Sequence, residues 1–156
     1  MIGRAAKRHR DGRIEIRLGE AEREILAHVL GQLRDALLAD PDDVVLRRLF
    51  PPAYPDDPEK EAGFQALARD ELLESRLATI DAVEASLDER YLDAEGASAW
   101  MRSLNSLRLV LGTRLDVSED DDRQFDPDDP EAPARALYGF LSELVDDLVD
   151  ALAADL

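Results

Sequence analysis

The chain has 156 residues, no cysteine and a net charge of −17 at pH 7. The missing cysteines exclude disulfides and thiol chemistry. The acidic balance repels nucleic acid and anionic membrane surfaces overall. We find no apolar run of about 18 residues, and no apolar segment after the basic start, so neither a membrane span nor a secretory signal is predicted. The expected organisation is one cytoplasmic domain over residues 1–156.

The charge is distributed unevenly. The first 17 residues hold six basic side chains against two acidic ones, whereas residues 117–156 are strongly acidic. This asymmetry predicts a basic arm at residues 1–12 and an acidic loop at residues 117–130. The arm could contact phosphates without reading bases, so specific nucleic-acid binding is not expected. The candidate nucleic-acid contacts are Arg4, Lys7, Arg8 and Arg10.

The first predicted element is a short strand. Asp11-Gly12 is a turn signal, and Ile14, Ile16 and Leu18 then alternate with charged residues. A period of two is typical of a half-buried strand, here one half of a hairpin. The residues before the turn alternate poorly, which leaves the partner strand open.

Helical periodicity begins at Glu20 and continues to Ala39. Three Asp-Pro pairs then match the residue preference at a helix start, an Asp N-cap followed by Pro. They predict a short helix, a long helix ending near Leu87 and a last helix, and the pairs are Asp40-Pro41, Asp57-Pro58 and Asp129-Pro130. Asp93 should cap a further helix from Ala94 to Leu115. The predicted fold is mainly α, a compact bundle of about five helices with a short N-terminal β-strand or hairpin.

The last helix is strongly amphipathic. Its leucines recur at alternating steps of three and four residues, and they are Leu137, Leu141, Leu144, Leu148 and Leu152. Such a stripe is most often part of the protein's own core. The same spacing also suits pairing between two copies, so a homodimer seam is the alternative.

Arginines interrupt two apolar helices. The helix over residues 104–115 is apolar on most sides and belongs at the centre of a bundle. A guanidinium keeps its charge, so burying one requires carboxylates or carbonyls around it. One interpretation is structural: the stems pack while the heads reach water or pair with acids. The other is a basic pocket between helices that binds an anion or a partner's carboxylates. The candidate residues are Arg69, Arg76, Arg108 and Arg114, with Asn105 beside them as a hydrogen-bonding tether.

No catalytic set is predicted. His9 lies in the arm and His28 on a helix surface, and neither a nucleophile motif nor a phosphate-binding loop is found. The acidic loop offers carboxylates but lacks the central Gly and final Glu of an EF-hand, and those carboxylates are Asp120, Asp122, Asp126 and Asp128. A non-enzymatic protein without metal or cofactor is therefore expected.

Three segments resemble a known family. They are DGRIEIRL at residues 11–18, PPAYPDDPE at residues 51–59 and LNSLRLVLGTRL at residues 104–115. The sequence is similar to an actinobacterial family of uncharacterised domains encoded near the gene for the ClpS protease adaptor. Some members are described as oxidative-stress transcriptional regulators of the AosR type, which act through a sigma factor. A thiol-based sensor needs reactive cysteines, and this chain has none.

The resemblance implies a helical regulatory protein that works through protein contacts. The expected partner is then a sigma factor or RNA polymerase. Two alternatives from the residues stay open: a DNA-binding regulator that uses the basic arm, and a small-anion-binding domain that uses the arginine-lined pocket.

Overall fold

The computed structural model describes residues 3–116 and 128–154. The strands are β1 (Ala6–Arg8), β2 (Ile14–Ile16) and β3 (Tyr91–Leu92). The α-helices are α1 (Glu20–Ala39), α2 (Pro58–Ala85), α3 (Ala94–Arg114) and α4 (Ala132–Ala153), and a 3-10 helix (Val44–Leu49) lies between α1 and α2. The predicted fold class, a mainly helical protein with an N-terminal hairpin, is confirmed. Most of the predicted acidic loop lies outside the described residues.

The hairpin that the sequence left open is present. β1 pairs antiparallel with β2, with Ala6 opposite Ile16. Gly12 has a φ of 91° in the turn, a conformation that favours glycine. β3 then adds to the free edge of β2, with Ile14 opposite Leu92. β3 was not predicted, because two residues are too few to show alternation.

Two of the predicted helix starts are confirmed. The Asp57 side chain accepts a hydrogen bond from the Lys60 amide at 3.1 Å, at the start of α2. The Asp93 side chain accepts one from the Gly96 amide at 2.7 Å, at the start of α3. In both cases the carboxylate satisfies an amide that has no partner within the helix.

The other two Asp-Pro predictions are wrong by two to three residues. Asp40 ends α1, and Asp43 caps the following 3-10 helix. Asp129 precedes α4, whose N-cap position is Glu131. Each misassigned aspartate bonds an amide only two residues ahead, Asp42 at 3.0 Å and Glu131 at 2.9 Å. These are local turns, a conformation that competes with N-capping for the same residue types.

The core surrounds α3. Trp100 and Leu104 are fully buried, and the Trp100 Nε1 donates to the Ser86 Oγ at 2.8 Å. α3 packs against α2, α4 and the 3-10 helix. The central leucines of the α4 stripe are at most 1% exposed, and they are Leu141, Leu144 and Leu148. The stripe is therefore core, and its central part is not free to form a homodimer seam.

Glu15 joins the sheet through charged hydrogen bonds. Its side chain lies 3.0 Å from the His9 Nε2 and 3.0 Å from the Arg17 Nε, and it accepts from Arg90 at 2.9 Å. These bonds from His9, Arg90 and Arg17 lower the pKa of Glu15 from its ordinary value of 4.5 to about 2. The residue is 6% exposed, so the charge is held by protein groups more than by water.

We predict that the Glu15 network makes stability depend on acid. Because the folded pKa is depressed, the contribution is fully present above pH 4.5 and is lost as the pH falls towards 2. Urea unfolding of the parent and of Glu15→Gln should therefore differ most at pH 7, and the difference should shrink below pH 4.5. The exposed Glu143→Gln is the control, and an equal pH dependence in that variant would contradict the assignment.

A second prediction concerns the core around α3. Leu104→Ala should lower the free energy of unfolding by roughly 2–5 kcal/mol, because it leaves a cavity at a fully buried site. Leu67→Ala, at a side chain 85% exposed, should change it by less than about 0.5 kcal/mol. Denaturant titration measures both values, and similar costs at the two positions would contradict the burial pattern.

Candidate functional site

The basic arm is docked on α4. The Arg4 Nη1 lies 2.9 Å from an Asp150 carboxylate oxygen, and the Ala5 amide donates to the Asp147 Oδ2 at 2.8 Å. Arg8 donates to the Ala151 carbonyl at 3.5 Å. Lys7 and Arg10, the other two predicted phosphate contacts, are exposed. The arm therefore lies beside carboxylates that would repel a nucleic-acid backbone.

Arg69 fits the structural interpretation, in which the guanidinium pairs with acids and carbonyls of the protein itself. Its Nη2 donates to the Pro41 carbonyl and lies 2.7 Å from Asp42, and its guanidinium stacks 4.5 Å from the centre of the Phe50 ring. Gln65 accepts from its Nη1 at 3.2 Å. These contacts fix the turn after α1 against α2.

Arg76 has a different environment. Its hydrogen bonds are long and go to neutral groups, the Leu49 carbonyl at 3.3 Å and the Ser106 Oγ at 3.4 Å. Its Nε is buried and has no hydrogen-bond partner among the described residues. Burial lowers the pKa of Arg76, and the neighbouring Arg102 charge lowers it further.

Arg76 lines a small cavity between α1, the 3-10 helix, α2 and α3. We call it the α2–α3 chamber; its volume is about 30 Å³. The lining residues are Leu33, Leu37, Leu49, Ser75, Arg76, Thr79, Ile80, Arg102, Ser103 and Ser106. No acidic side chain is among these described residues. The Ser103 Oγ is buried there without a hydrogen-bond partner among them.

The four predicted arginines do not share one site. The Arg108 Nη2 donates to the Asn105 Oδ1 at 2.7 Å, so Asn105 is the tether that the sequence indicated. Arg114 is exposed and lines a second, mainly apolar cavity of about 210 Å³ between α1, α3 and α4. Of the four, only Arg76 lines the α2–α3 chamber, and it does so together with Arg102, which was not predicted.

The sequence interpretation missed Arg102 and Ser103. A signal was available on α3, where Ser103 and Ser106 stand three residues apart beside buried Leu104 and Leu107. Two hydroxyls on an apolar helix face indicate a polar contact inside the protein. Ser103 and Ser106 are only 2% and 4% exposed.

An acidic face lies on α2. Leu67 is 85% exposed, and Asp70, Glu71 and Glu74 are exposed around it. We call these four residues the α2 acidic face. Within the described part of the chain, none of the three carboxylate side chains has a hydrogen bond or ion pair to another residue. Residues three and four apart on a helix are neighbours, so the four side chains form one surface.

This face lies on the part of α2 that the bundle covers least. The first fully buried residue of α2 is Ile80, near the end of the helix. α2 and α3 run antiparallel, since Arg76 contacts Ser106 and Ser86 contacts Trp100. Before Arg76, α2 has 18 residues (58–75), whereas after Ser106 α3 has 8 (107–114), so about the first ten residues of α2 extend past α3 and the α2 acidic face begins where that extension ends.

Neither histidine forms a catalytic set with its described neighbours. The His9 Nε2 is bonded to the Glu15 network, and His28 is exposed. No group of three or more His, Asp or Glu side chains in residues 3–116 and 128–154 is placed to hold a metal ion. The carboxylates considered for calcium at Asp120, Asp122 and Asp126 lie outside these ranges. Within the same ranges no helix is long and apolar enough to cross a membrane.

The fold and its surfaces define a mainly helical domain with an N-terminal hairpin, a polar chamber and an acidic helix face. The chain belongs to the family of DUF2017, a domain of unknown function, whose family model matches residues 3–152. No significant match was found among curated proteins or solved structures.

We predict that Asp147 keeps the arm docked. Asp147→Ala removes the acceptor of the Ala5 amide, and a buried amide without a partner costs about 1–3 kcal/mol. Hydrogen exchange at Ala5 should therefore become at least about tenfold faster. Asp146→Ala, an exposed neighbour on α4, is the control and should leave that amide protected. Unchanged exchange in Asp147→Ala would show that the arm is held in another way.

Proposed function

We propose that this protein is a non-enzymatic regulatory protein that acts by binding a basic protein partner through the α2 acidic face. The observation that supports it is a nearly fully exposed leucine surrounded by acids without partners among the described residues. Isolated exposed leucines are common on protein surfaces. A leucine set among carboxylates that no internal cation neutralises is complementary to a basic segment with an apolar anchor.

The partner that we propose is a sigma factor or RNA polymerase. The support is the resemblance of the segments at residues 11–18, 51–59 and 104–115 to actinobacterial regulators of the AosR type. Charge adds to it, because a chain with a net charge of −17 favours basic partners. Without cysteine, the proposal does not include thiol-based oxidant sensing.

DNA binding through the basic arm receives less support. Arg4 is already paired with Asp150, and Asp147 holds the arm on an acidic helix. Retardation of promoter DNA in a gel by the intact protein, and its loss on deleting residues 1–12, would favour that alternative.

We expect charge reversal on the α2 acidic face to weaken partner binding more than the same charge reversal elsewhere on the protein. Purified protein should bind the isolated sigma factor or polymerase, and Glu71→Lys with Glu74→Lys should weaken binding at least about tenfold at moderately high salt. Leu67→Ala should weaken it by a similar factor without loss of stability. Fluorescence anisotropy of the labelled protein gives the dissociation constants.

The matched control reverses the same number of charges on α4. Glu143 and Asp146 are exposed and have no ion pair within the described residues. Glu143→Lys with Asp146→Lys should change the affinity less than about threefold, since only net charge is altered. An equal loss in both pairs would contradict the α2 acidic face as the binding surface. Failure to bind any sigma factor or polymerase would contradict the proposed partner.

A further inference from the structure

Arg76 is a half-buried cation without a counter-ion in residues 3–116 and 128–154. Its two hydrogen-bond acceptors are neutral and lie beyond 3.2 Å, and its Nε has no acceptor among the described residues. By contrast, Arg69, about two turns earlier on α2, pairs with Asp42 at 2.7 Å. A buried charge is costly unless it is paired, and the described surroundings of Arg76 supply no negative charge to offset that cost.

Two unpartnered donors, from Arg76 and Ser103, converge on the space beside it. Arg76 and Ser103 line the α2–α3 chamber, and each has a buried polar atom without a hydrogen-bond partner among the described residues. Ser106 lines the chamber as well, and its Oγ donates to the Arg102 carbonyl at 3.1 Å. Arg102 adds a second positive charge from α3. Guanidinium and hydroxyl donors, with no acid in the chamber lining itself, are the chemistry that binds an oxyanion.

We propose that the α2–α3 chamber binds a small oxyanion, held by Arg76 and Ser103 with Arg102 at the entrance. The ligand is a terminal carboxylate, phosphate or sulfate group. This site does not depend on the proposed partner surface, which lies on the exposed side of α2.

The size and surroundings of the chamber limit the ligand. A volume of about 30 Å³ is room for roughly two water molecules, so only one compact group can enter. The chamber shares Ser75, Thr79 and Arg102 with an outer groove of about 430 Å³, which gives access from solvent. Asp93 and Glu95 line that groove and would repel further negative charge. A single oxyanion group is therefore favoured over a polyphosphate.

The test uses the intact protein with phosphate, sulfate and acetate as probes, each compared with chloride at the same ionic strength. We expect at least one oxyanion to raise the melting temperature above the chloride value and to shift the Arg76 Nε–H resonance in a ¹H–¹⁵N spectrum. A tetrahedral ion that binds more tightly than acetate assigns a phosphate or sulfate group, and the reverse order assigns a carboxylate.

Variants locate the site. Arg76→Gln should weaken the ion at least about tenfold, the effect of removing a charged hydrogen bond. Ser103→Ala, a small change in a buried hydroxyl that bonds nothing, should weaken it about two- to tenfold while the protein stays folded. Arg108→Gln is the matched control, because this arginine pairs with Asn105 outside the chamber, and it should bind as the parent does.

Two results would overturn the proposal. One is a response to every oxyanion no larger than the response to chloride, which would mean that the chamber holds only water. The other is an equal affinity in the parent, Arg76→Gln and Ser103→Ala, which would place the ion elsewhere on the surface.

Discussion

The central position of α3 is the constraint on which the rest of the structure depends. Apolar side chains cover most of its circumference, so removing them from water requires neighbours on nearly every side. α2, α4 and the 3-10 helix supply those neighbours. The polar groups of α3 must then be satisfied inside the protein. Asn105 is bonded to Arg108, whereas Ser103 keeps an unpartnered hydroxyl in the α2–α3 chamber.

Internal contacts use many of the basic side chains, and this leaves the outside acidic. Arg34 pairs with Asp81 and Glu84 between α1 and α2. Arg23 donates to backbone carbonyls of β2 and of the turn after α2. Carboxylates outnumber the cations that remain, and a group such as the α2 acidic face has no internal partner. We therefore propose the partner-binding function for this acidic surface and the anion site for the α2–α3 chamber, whose lining has Arg76 and Arg102 and no acidic residue.

The spacing of apolar residues in the sequence predicted the four long helices. Twenty or more residues of helical spacing defined α1, α2, α3 and α4, and the leucine stripe of α4 was correctly assigned to the core. Single residues were less informative, since Asp40 and Asp129 form local turns instead of helix caps. The candidate site was predicted only in part. The sequence pointed to Arg76 as an arginine inside an apolar face, but its meeting with Arg102 depends on how α2 crosses α3, and no local pattern encodes that crossing.

The most direct test of the regulatory account is site-specific photo-crosslinking in host cells. A photo-reactive amino acid replaces Leu67 in one strain and Glu143 in another, and covalent adducts are identified after irradiation. We expect position 67 to give one dominant adduct with a basic protein of the transcription machinery and position 143 to give none. The same adducts from both positions, or no adduct from position 67, would contradict it.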